Sequence, residues 1–300
     1  MRVKQCLLMV VIMLGVCMVH GATKTVAVWK MDESAGTMIR DSSGNKNDAA
    51  AFNVADENWS PSEGKQGGVL SLDSRSAHGC QFIKADTTAW AKNYGMKNWT
   101  ISLWIKPMTM DGGCTRSTGA FNYIASIACR DGNGNPGARI DLFWIPNADS
   151  TSGALGAAAY FASGAQITPA NNMMDAREPD FLTCNYRVVP NTWQQVSFRY
   201  TRDGGDSGYD RMEILYNGQV VRTANYWAHS ADPASNLTMG DAIYFNTRAG
   251  AAGNYSVGAA VKYGEISIST EISYENRNII RISMDHEPAG KIRVQFLKMN

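Results

Sequence analysis

Apolar and polar residues alternate with period two in several separate stretches of this chain of 300 residues. The alternation is clearest in residues 99–106, 139–144, 194–200 and 292–296. Successive side chains of a β-strand point to opposite faces, so this pattern predicts strands that are buried on one face. Asn217-Gly218 lies between two such runs and predicts a hairpin, because both turn residues must adopt positive φ. Roughly a dozen strands of this kind predict two stacked antiparallel sheets.

The composition is typical of one large all-β domain. The chain has 28 glycines and 10% aromatic residues, and we find no long segment with helical spacing of apolar positions. Single all-β domains commonly reach about 200–250 residues. We therefore expect one domain over residues 22–300, with loop insertions near residues 108–122 and 146–190. Such loops often bind ligands; the alternative is that they cover an edge strand.

The first 21 residues have the pattern of a signal peptide. Arg2 and Lys4 precede the apolar run Leu7–Val19, and cleavage is expected just before Ala22. The run is shorter than the ~20 residues that a membrane span needs, although an uncleaved anchor is the alternative. We expect a secreted or extracytoplasmic protein, in the periplasm or at the cell surface, with no membrane span in the mature chain.

Four cysteines remain after the predicted cleavage, and they are Cys80, Cys114, Cys129 and Cys184. In an exported chain they predict disulfides, with three pairings open. Cys114 and Cys129 bracket a short glycine-rich segment, and a bridge between them would contribute roughly 3 kcal/mol to stability. The alternative is four unpaired thiols.

The charge pattern argues against nucleic acid as a partner. The formal net charge is +1, only 18% of the residues are charged, and the chain has no basic block of the kind that phosphate backbones attract.

Three separated segments occur in an order that is typical of one superfamily. They are Val26–Gly36, which contains Trp29; Trp99–Pro107; and Asn191–Phe198, which is followed by Ile214–Gly218. Together they resemble the laminin-G-like, concanavalin A-like lectin/glucanase domains. The resemblance implies an all-β fold, a two-sheet antiparallel jelly-roll β-sandwich. This superfamily includes lectins, adhesion modules, hydrolases and lyases, so the fold alone does not define a ligand.

One loop contains a candidate metal site. Asp41, Asn45 and Asp48 lie close together around Gly44, and Ca²⁺ prefers several such oxygen ligands. The alternative is a set of Asx turns, in which each side chain binds nearby backbone. Ser267 also stands where members of the superfamily often have an aspartate that supports a metal. Ca²⁺ is the only cofactor that the sequence suggests.

A second candidate site is a surface for sugars, which stack on aromatic rings and bind polar groups beside them. Five candidates occupy the polar positions of the period-two alternation along their strands, and they are Trp104, Arg139, Asp141, Gln195 and Arg199. If these strands are neighbours, the five side chains line one face of a sheet, and Trp227 in a loop would lie at its rim. The alternative is that a loop covers Trp104 and that the charges form cross-strand pairs.

Known catalytic patterns of this fold do not occur in the sequence. We find neither the Glu-x-Asp-x-x-Glu strand of laminarinase-type hydrolases nor the Gln-Ile-His strand of jelly-roll alginate lyases. We therefore expect a non-catalytic module that binds a polysaccharide, a glycan or another surface. The alternatives are a divergent polysaccharide hydrolase or lyase on the same fold, and a structural or adhesive envelope protein that binds a cell-surface protein.

Overall fold

The structure, a computed structural model, describes residues 23–73, 80–109, 121–130, 134, 136–147, 150–160, 182–202, 210–226, 237–249, 259–271, 279–284 and 292–297. The strands, in chain order, are β1 (Thr23–Trp29), β2 (Met38–Ile39), β3 (Ala49–Phe52), β4 (Trp59–Ser60), β5 (Val69–Asp73), β6 (Phe82–Asp86), β7 (Asn98–Pro107), β8 (Asn122–Arg130), β9 (Pro136–Pro146), β10 (Gly153–Tyr160), β11 (Leu182–Val188), β12 (Gln194–Thr201), β13 (Asp210–Tyr216), β14 (Gln219–Tyr226), β15 (Thr238–Phe245), β16 (Ala260–Glu271), β17 (Ile279–Met284) and β18 (Ile292–Leu297). The helices are a 3-10 turn, Asp56–Asn58, and α1, Trp90–Tyr94.

Two antiparallel sheets of eight strands each form the fold, which confirms the predicted jelly-roll β-sandwich. Sheet A has the order β14-β13-β12-β7-β16-β5-β4, and β1 also pairs with β16. Sheet B has the order β11-β10-β9-β8-β15-β6-β3-β2. The predicted alternation in residues 99–106 is also confirmed, because the apolar side chains of β7 are buried while its polar positions are partly exposed.

The core lies between the two sheets. Trp29, Ile101 and Phe198 of sheet A belong to one buried cluster together with side chains from sheet B. Trp29 joins the layers directly, because its ring lies 6.0 Å from that of Phe245 in an edge-to-face contact. It also lies 6.3 Å from the ring of Trp90 in α1. Aromatic pairs at such distances add about 0.5–1.5 kcal/mol each beyond the burial of their area.

Two glycine positions show why the sequence pattern identified the fold. A Cβ atom on Gly68 would lie 1.9 Å from the carbonyl oxygen of Met31, so only glycine allows β5 to approach this segment. At the β13–β14 hairpin, Asn217 and Gly218 have φ values of 48° and 80°. The predicted turn is therefore confirmed, together with its backbone conformation.

The segment from residue 146 to residue 190, predicted as one long loop, contains two strands. β10 and β11 pair with each other and extend sheet B beyond β9. The sequence of β10 is rich in alanine and glycine, which have low β propensity. Ala157, Ala158 and Ala159 are nevertheless all buried, because both faces of this strand are covered. The rest of both predicted insertions lies largely outside the described residues.

The chain divides into two compact units. Lys24–Thr270 contains both large sheets, and the other unit, Met1–Thr23 with Glu271–Asn300, contains the hairpin of β17 and β18. Both large sheets thus lie within Lys24–Thr270, and the domain bounds of residues 22–300 stay a prediction. The predicted signal peptide, residues 1–21, lies outside the described residues.

None of the helices in the described part of the chain is long and apolar enough to cross a membrane.

Candidate functional site

The predicted sugar-binding residues lie in two different sheets. Trp104 is on β7, and Gln195 and Arg199 are on the neighbouring strand β12, where Gln195 is the register partner of Trp104. Arg139 and Asp141 are on β9, which belongs to sheet B. The outer faces of a two-layer sandwich point in opposite directions, so the five residues do not line one surface. Period-two parity identifies the face of a strand, but not the sheet that contains it. Trp227 lies outside the described residues.

The outer face of sheet A is a ladder of cross-strand pairs. Arg199 Nε donates a hydrogen bond to Glu213 Oε2 on β13 at 2.5 Å. On the next row, the hydroxyl oxygens of Ser102 and Ser197 lie 2.7 Å apart. Ser267 of β16 is in register with Ser102, so it continues this row. These contacts correspond to the cross-strand alternative that the sequence left open.

Trp104 is packed against a second indole. A Cβ atom on Gly264 would lie 3.2 Å from Trp104 Cβ and 3.3 Å from Trp193 Cζ3, so both side chains lie beside this glycine of β16. The Lys65 ammonium lies 5.9 Å from the centre of the Trp104 ring. Trp104 is therefore only partly exposed, and its Nε1 is enclosed without an acceptor among the described residues.

The outer face of sheet B contains a buried ion pair. Asp141 is fully buried and accepts hydrogen bonds from Ser126 Oγ at 2.5 Å and from Arg139 Nε at 2.9 Å. Ser126 Oγ in turn accepts a hydrogen bond from the N–H of Ala249 at 2.8 Å. Burial raises the pKa of Asp141, and the charge and hydrogen bond of Arg139 oppose this effect only in part.

Tyrosine and phenylalanine rings surround this ion pair. The guanidinium carbon of Arg139 lies 3.7 Å from the centre of the Tyr160 ring, a close cation–π contact. Phe143 packs against Tyr123, with the ring centres 6.2 Å apart. Burial, followed by the charge of Asp141, raises the pKa of both Tyr123 and Tyr160. Both phenols are therefore protonated at neutral pH, and the partly exposed Tyr160 can donate a hydrogen bond to a ligand.

A second arginine completes the group. Arg248 lies next to Ala249, whose N–H donates to Ser126 Oγ at 2.8 Å, and its charge acts to lower the pKa values of Asp141 and Tyr160. Its Nε is enclosed and has no acceptor within the described ranges. We define the sheet B polar cluster as Ser126, Arg139, Asp141, Tyr160 and Arg248. Two guanidinium groups at one place are suited to an anion such as a carboxylate.

Sequence reasoning identified Arg139 and Asp141 but missed the other members of the cluster. Ser126, Tyr160 and Arg248 come from β8, from β10 and from the segment after β15, and they meet only because these strands are close in sheet B. Tyr160 had a local signal that could have been used: it is the first of two adjacent aromatic residues, Tyr160-Phe161, at the end of an alanine-rich run. Nothing local marked Ser126 or Arg248.

The carboxylate of Asp41 accepts hydrogen bonds throughout the loop predicted to bind calcium. The backbone N–H groups of Val28, Ser43 and Asn47 donate to it at 2.8–2.9 Å, and Ser43 Oγ donates at 2.8 Å. Partial burial acts to raise the pKa of Asp41, but these hydrogen bonds outweigh it, and the pKa is lowered. This geometry corresponds to the Asx-turn alternative.

The other two predicted calcium ligands also bind the backbone. Asp48 Oδ1 accepts the N–H of Asp41 at 2.8 Å, and Asn45 Nδ2 donates to the carbonyl oxygens of Thr25 and Val26 at 3.0 Å. No three acidic, histidine or cysteine side chains converge as a metal site in the described residues. Calcium binding at this loop stays a prediction.

Cys129 is a free, buried thiol. Its Sγ donates to the carbonyl oxygen of Ile127 at 3.5 Å, and burial raises its pKa. Cys129 on β8 points into the core between the sheets. Cys114 lies outside the described residues, so the Cys114–Cys129 bridge stays a prediction.

Comparison with known proteins gives likenesses of fold. No protein-family model and no curated protein sequence matches the chain. Among solved structures, a mutant of the alginate lyase Aly36B in complex with an alginate tetrasaccharide has 16% identity, covers 85% of this chain and 99% of its own, and has a TM-score of 0.46. The PL-14 alginate lyase from Aplysia kurodai has 13% identity, 73% and 89% coverage, and a TM-score of 0.39.

A third similar structure is a toxin domain. It is the binding domain of botulinum neurotoxin DC in complex with rat synaptotagmin II, with 12% identity, coverage of 83% of this chain and 49% of that chain, and a TM-score of 0.43. Enzymes and binding domains thus both occur among the similar structures. At these identities the likeness is one of fold, so any function has to be argued from the side chains of this chain.

Proposed function

We propose that this protein binds an anionic polysaccharide, such as a polyuronate, at the sheet B polar cluster. The observation that carries the proposal is the placement of Arg139: its guanidinium is fixed by a fully buried carboxylate and stacked on a tyrosine ring. An arginine held in this way loses little conformational freedom on binding, which favours affinity. Sheet A is the weaker candidate because its polar residues form the cross-strand pairs described above.

Each group of the cluster has a part in the proposed mechanism. Arg248 and Arg139 attract the carboxylate of a uronic acid through charge-assisted hydrogen bonds. The Tyr160 hydroxyl, kept protonated by its raised pKa, donates to a hydroxyl or ring oxygen of the sugar. Asp141 does not contact the ligand, since it is fully buried; its role is to position Arg139. No bond of the ligand is broken.

Calorimetric titration with oligosaccharides of alginate, of pectate and of a neutral β-glucan tests the proposal. We expect binding of an anionic oligosaccharide that weakens with added salt, and about tenfold weaker binding for Arg139→Lys, because lysine lacks the planar fork and the stacking contact. The matched control is Arg130→Lys, whose partner Asp241 is exposed. Equal affinity for the neutral glucan, or an unchanged affinity in Arg139→Lys, would contradict the proposal.

A second candidate function is cleavage of the same ligand by elimination. One observation favours it: the Arg139 guanidinium lies over the Tyr160 ring, so a cation for the uronate carboxylate and a phenol that can protonate the leaving oxygen are adjacent. Elimination also needs a base that takes the carbon-bound proton of the sugar, and no group of the cluster is assigned to that role, so elimination ranks below binding. The same samples should be assayed for unsaturated products and new reducing ends. Product formation that Tyr160→Phe abolishes would identify an enzyme, whereas binding without products supports the module.

Export is part of this proposal and rests on the predicted signal peptide of residues 1–21. Fractionation of the expressing cells should find the protein outside the cytoplasm, with an N-terminus at Ala22. Recovery of the full-length chain in the cytoplasm would contradict export but would leave the proposed ligand unaffected.

A further inference from the structure

Two phenylalanine rings stack against each other on the outer face of sheet B. Phe52 of β3 and Phe82 of β6 are register partners, and their rings are nearly parallel, with centres 4.7 Å apart. Phe52 is 38% exposed. Tyr244 of β15 lies beside Phe82 at 6.4 Å, and the Lys84 ammonium lies 5.8 Å from the centre of the Tyr244 ring.

The core does not require these rings. Ala51 and Ile83, the neighbours of Phe52 and Phe82 along the strands, point inward and are buried, so the two phenylalanines point away from the core. Exposing apolar surface costs about 25 cal/mol for each Å². A flat, exposed aromatic surface with a cation at its edge is typical of a binding site rather than of a passive sheet face.

This aromatic patch and the polar cluster share one face. Across sheet B, Lys84 pairs with Tyr244, Tyr244 with Ser126, and Ser126 with Asp141, so the four residues form one row. Strands lie about 4.8 Å apart, which gives about 14 Å from Lys84 to Asp141. A single sugar cannot contact both places. Ser126 and Asp141 are fully buried, so a polysaccharide chain would contact the two ends of this face, at the aromatic patch and at Arg139, rather than the row itself.

We propose that Phe52, Phe82, Tyr244 and Lys84 form a second subsite for the polysaccharide that the polar cluster binds. This inference rests on the proposed function and adds that the protein recognises a chain rather than one sugar unit. The apolar face of a sugar ring stacks on the phenylalanine rings, and Lys84 attracts a carboxylate farther along the chain. A polysaccharide is favoured over a protein partner because the patch lies on the same face as the cluster, and because Lys84 at the patch and Arg139 at the cluster each offer a cation to an anionic chain.

The test compares short and long oligouronates by calorimetry, using the mature protein and Phe52→Ala. We expect the variant to bind the long chain about three- to tenfold more weakly, as for the loss of an aromatic stacking contact. A disaccharide that reaches only the polar cluster should bind unchanged. Val220→Ala is the matched control, since Val220 is 46% exposed on β14, which belongs to sheet A.

The other outcomes overturn either the inference or the proposed function, and they are distinguishable. An unchanged affinity for the long chain, or an equal loss for the disaccharide, excludes a separate subsite. If Phe52→Ala alters only the sedimentation behaviour, the patch is a contact between protein copies. If Arg139→Lys leaves disaccharide binding intact while Phe52→Ala weakens the long chain, the proposed cluster is wrong and the aromatic subsite stands.

Discussion

Replacement of Arg139 by alanine leaves a carboxylate buried without its cation. Asp141 is fully buried, and Arg139 is 16% exposed. In Arg139→Ala, only Ser126 Oγ still donates to the Asp141 carboxylate among the described contacts. Breaking a buried ion pair by removing one partner costs about 3–5 kcal/mol, and we expect the lower end because Arg139 reaches solvent. This is a large part of the roughly 5–15 kcal/mol that stabilises a domain.

The loss should depend on pH in a defined direction. Burial raises the pKa of Asp141 in the folded protein, so ionising it costs stability. That cost is absent below the unfolded pKa of ~3.9 and is fully present above the folded pKa. Arg139 reduces the cost, because its charge lowers this pKa. Removing Arg139 therefore raises the pKa further, and the destabilisation should be largest at neutral pH and shrink as the pH falls.

Urea unfolding at pH 7 and pH 5 measures both effects. Arg130→Ala is the control, because the Arg130–Asp241 pair is 41% and 47% exposed and should contribute no more than ~1 kcal/mol. Adding Asp141→Asn to Arg139→Ala should restore part of the loss, since the unpaired charge is gone. A loss of under about 1 kcal/mol, or the same loss at both pH values, would refute the reasoning.

Four further changes test the fold and the Asp41 loop by thermal unfolding. Gly68→Ala should destabilise the fold by about 1–3 kcal/mol, because its Cβ would overlap the Met31 carbonyl. An unchanged stability would show that the backbone moves to accommodate the added atom. Gly218→Val should cost about 1–2 kcal/mol at φ 80°, whereas Asn217→Gly should be nearly neutral. Asp41→Ala should cost about 2 kcal/mol at pH 7. The stability difference between the parent protein and Asp41→Ala should shrink as the pH falls below ~3.9. The hydrogen bonds that lower the pKa of Asp41 stabilise only its ionised form. A calcium-dependent rise in Tm in the parent protein alone would support the predicted metal site.

The sequence was sufficient to predict the two-sheet fold because the fold depends on local patterns. Alternation along β7 and β12, the close approach at Gly68 and the turn at Asn217 can each be recognised within a few residues. β10 and β11 were missed for the opposite reason. The alanines of β10 are buried because neighbouring elements cover both faces, and nothing within the strand itself shows this.

The site was predictable only in part, since it depends on the order of strands. Arg139 and Arg199 have the same polar parity and the same charge, yet they lie on different sheets. Strand order comes from long-range pairing, such as that of β8 with β15, which are separated by more than a hundred residues. The single sequence contains no signal for that pairing, so it grouped residues from opposite surfaces.

The outer faces of the two sheets differ in how their arginine side chains are held. On sheet A, Arg199 is neutralised by Glu213 across the strands, and the serine hydroxyls bind each other. On sheet B, the fully buried Asp141 carboxylate positions Arg139, and the guanidinium also stacks on the Tyr160 ring. An arginine held in this way is preorganised for an anion. We therefore expect the sheet B face, and not the Trp104 face, to determine the ligand.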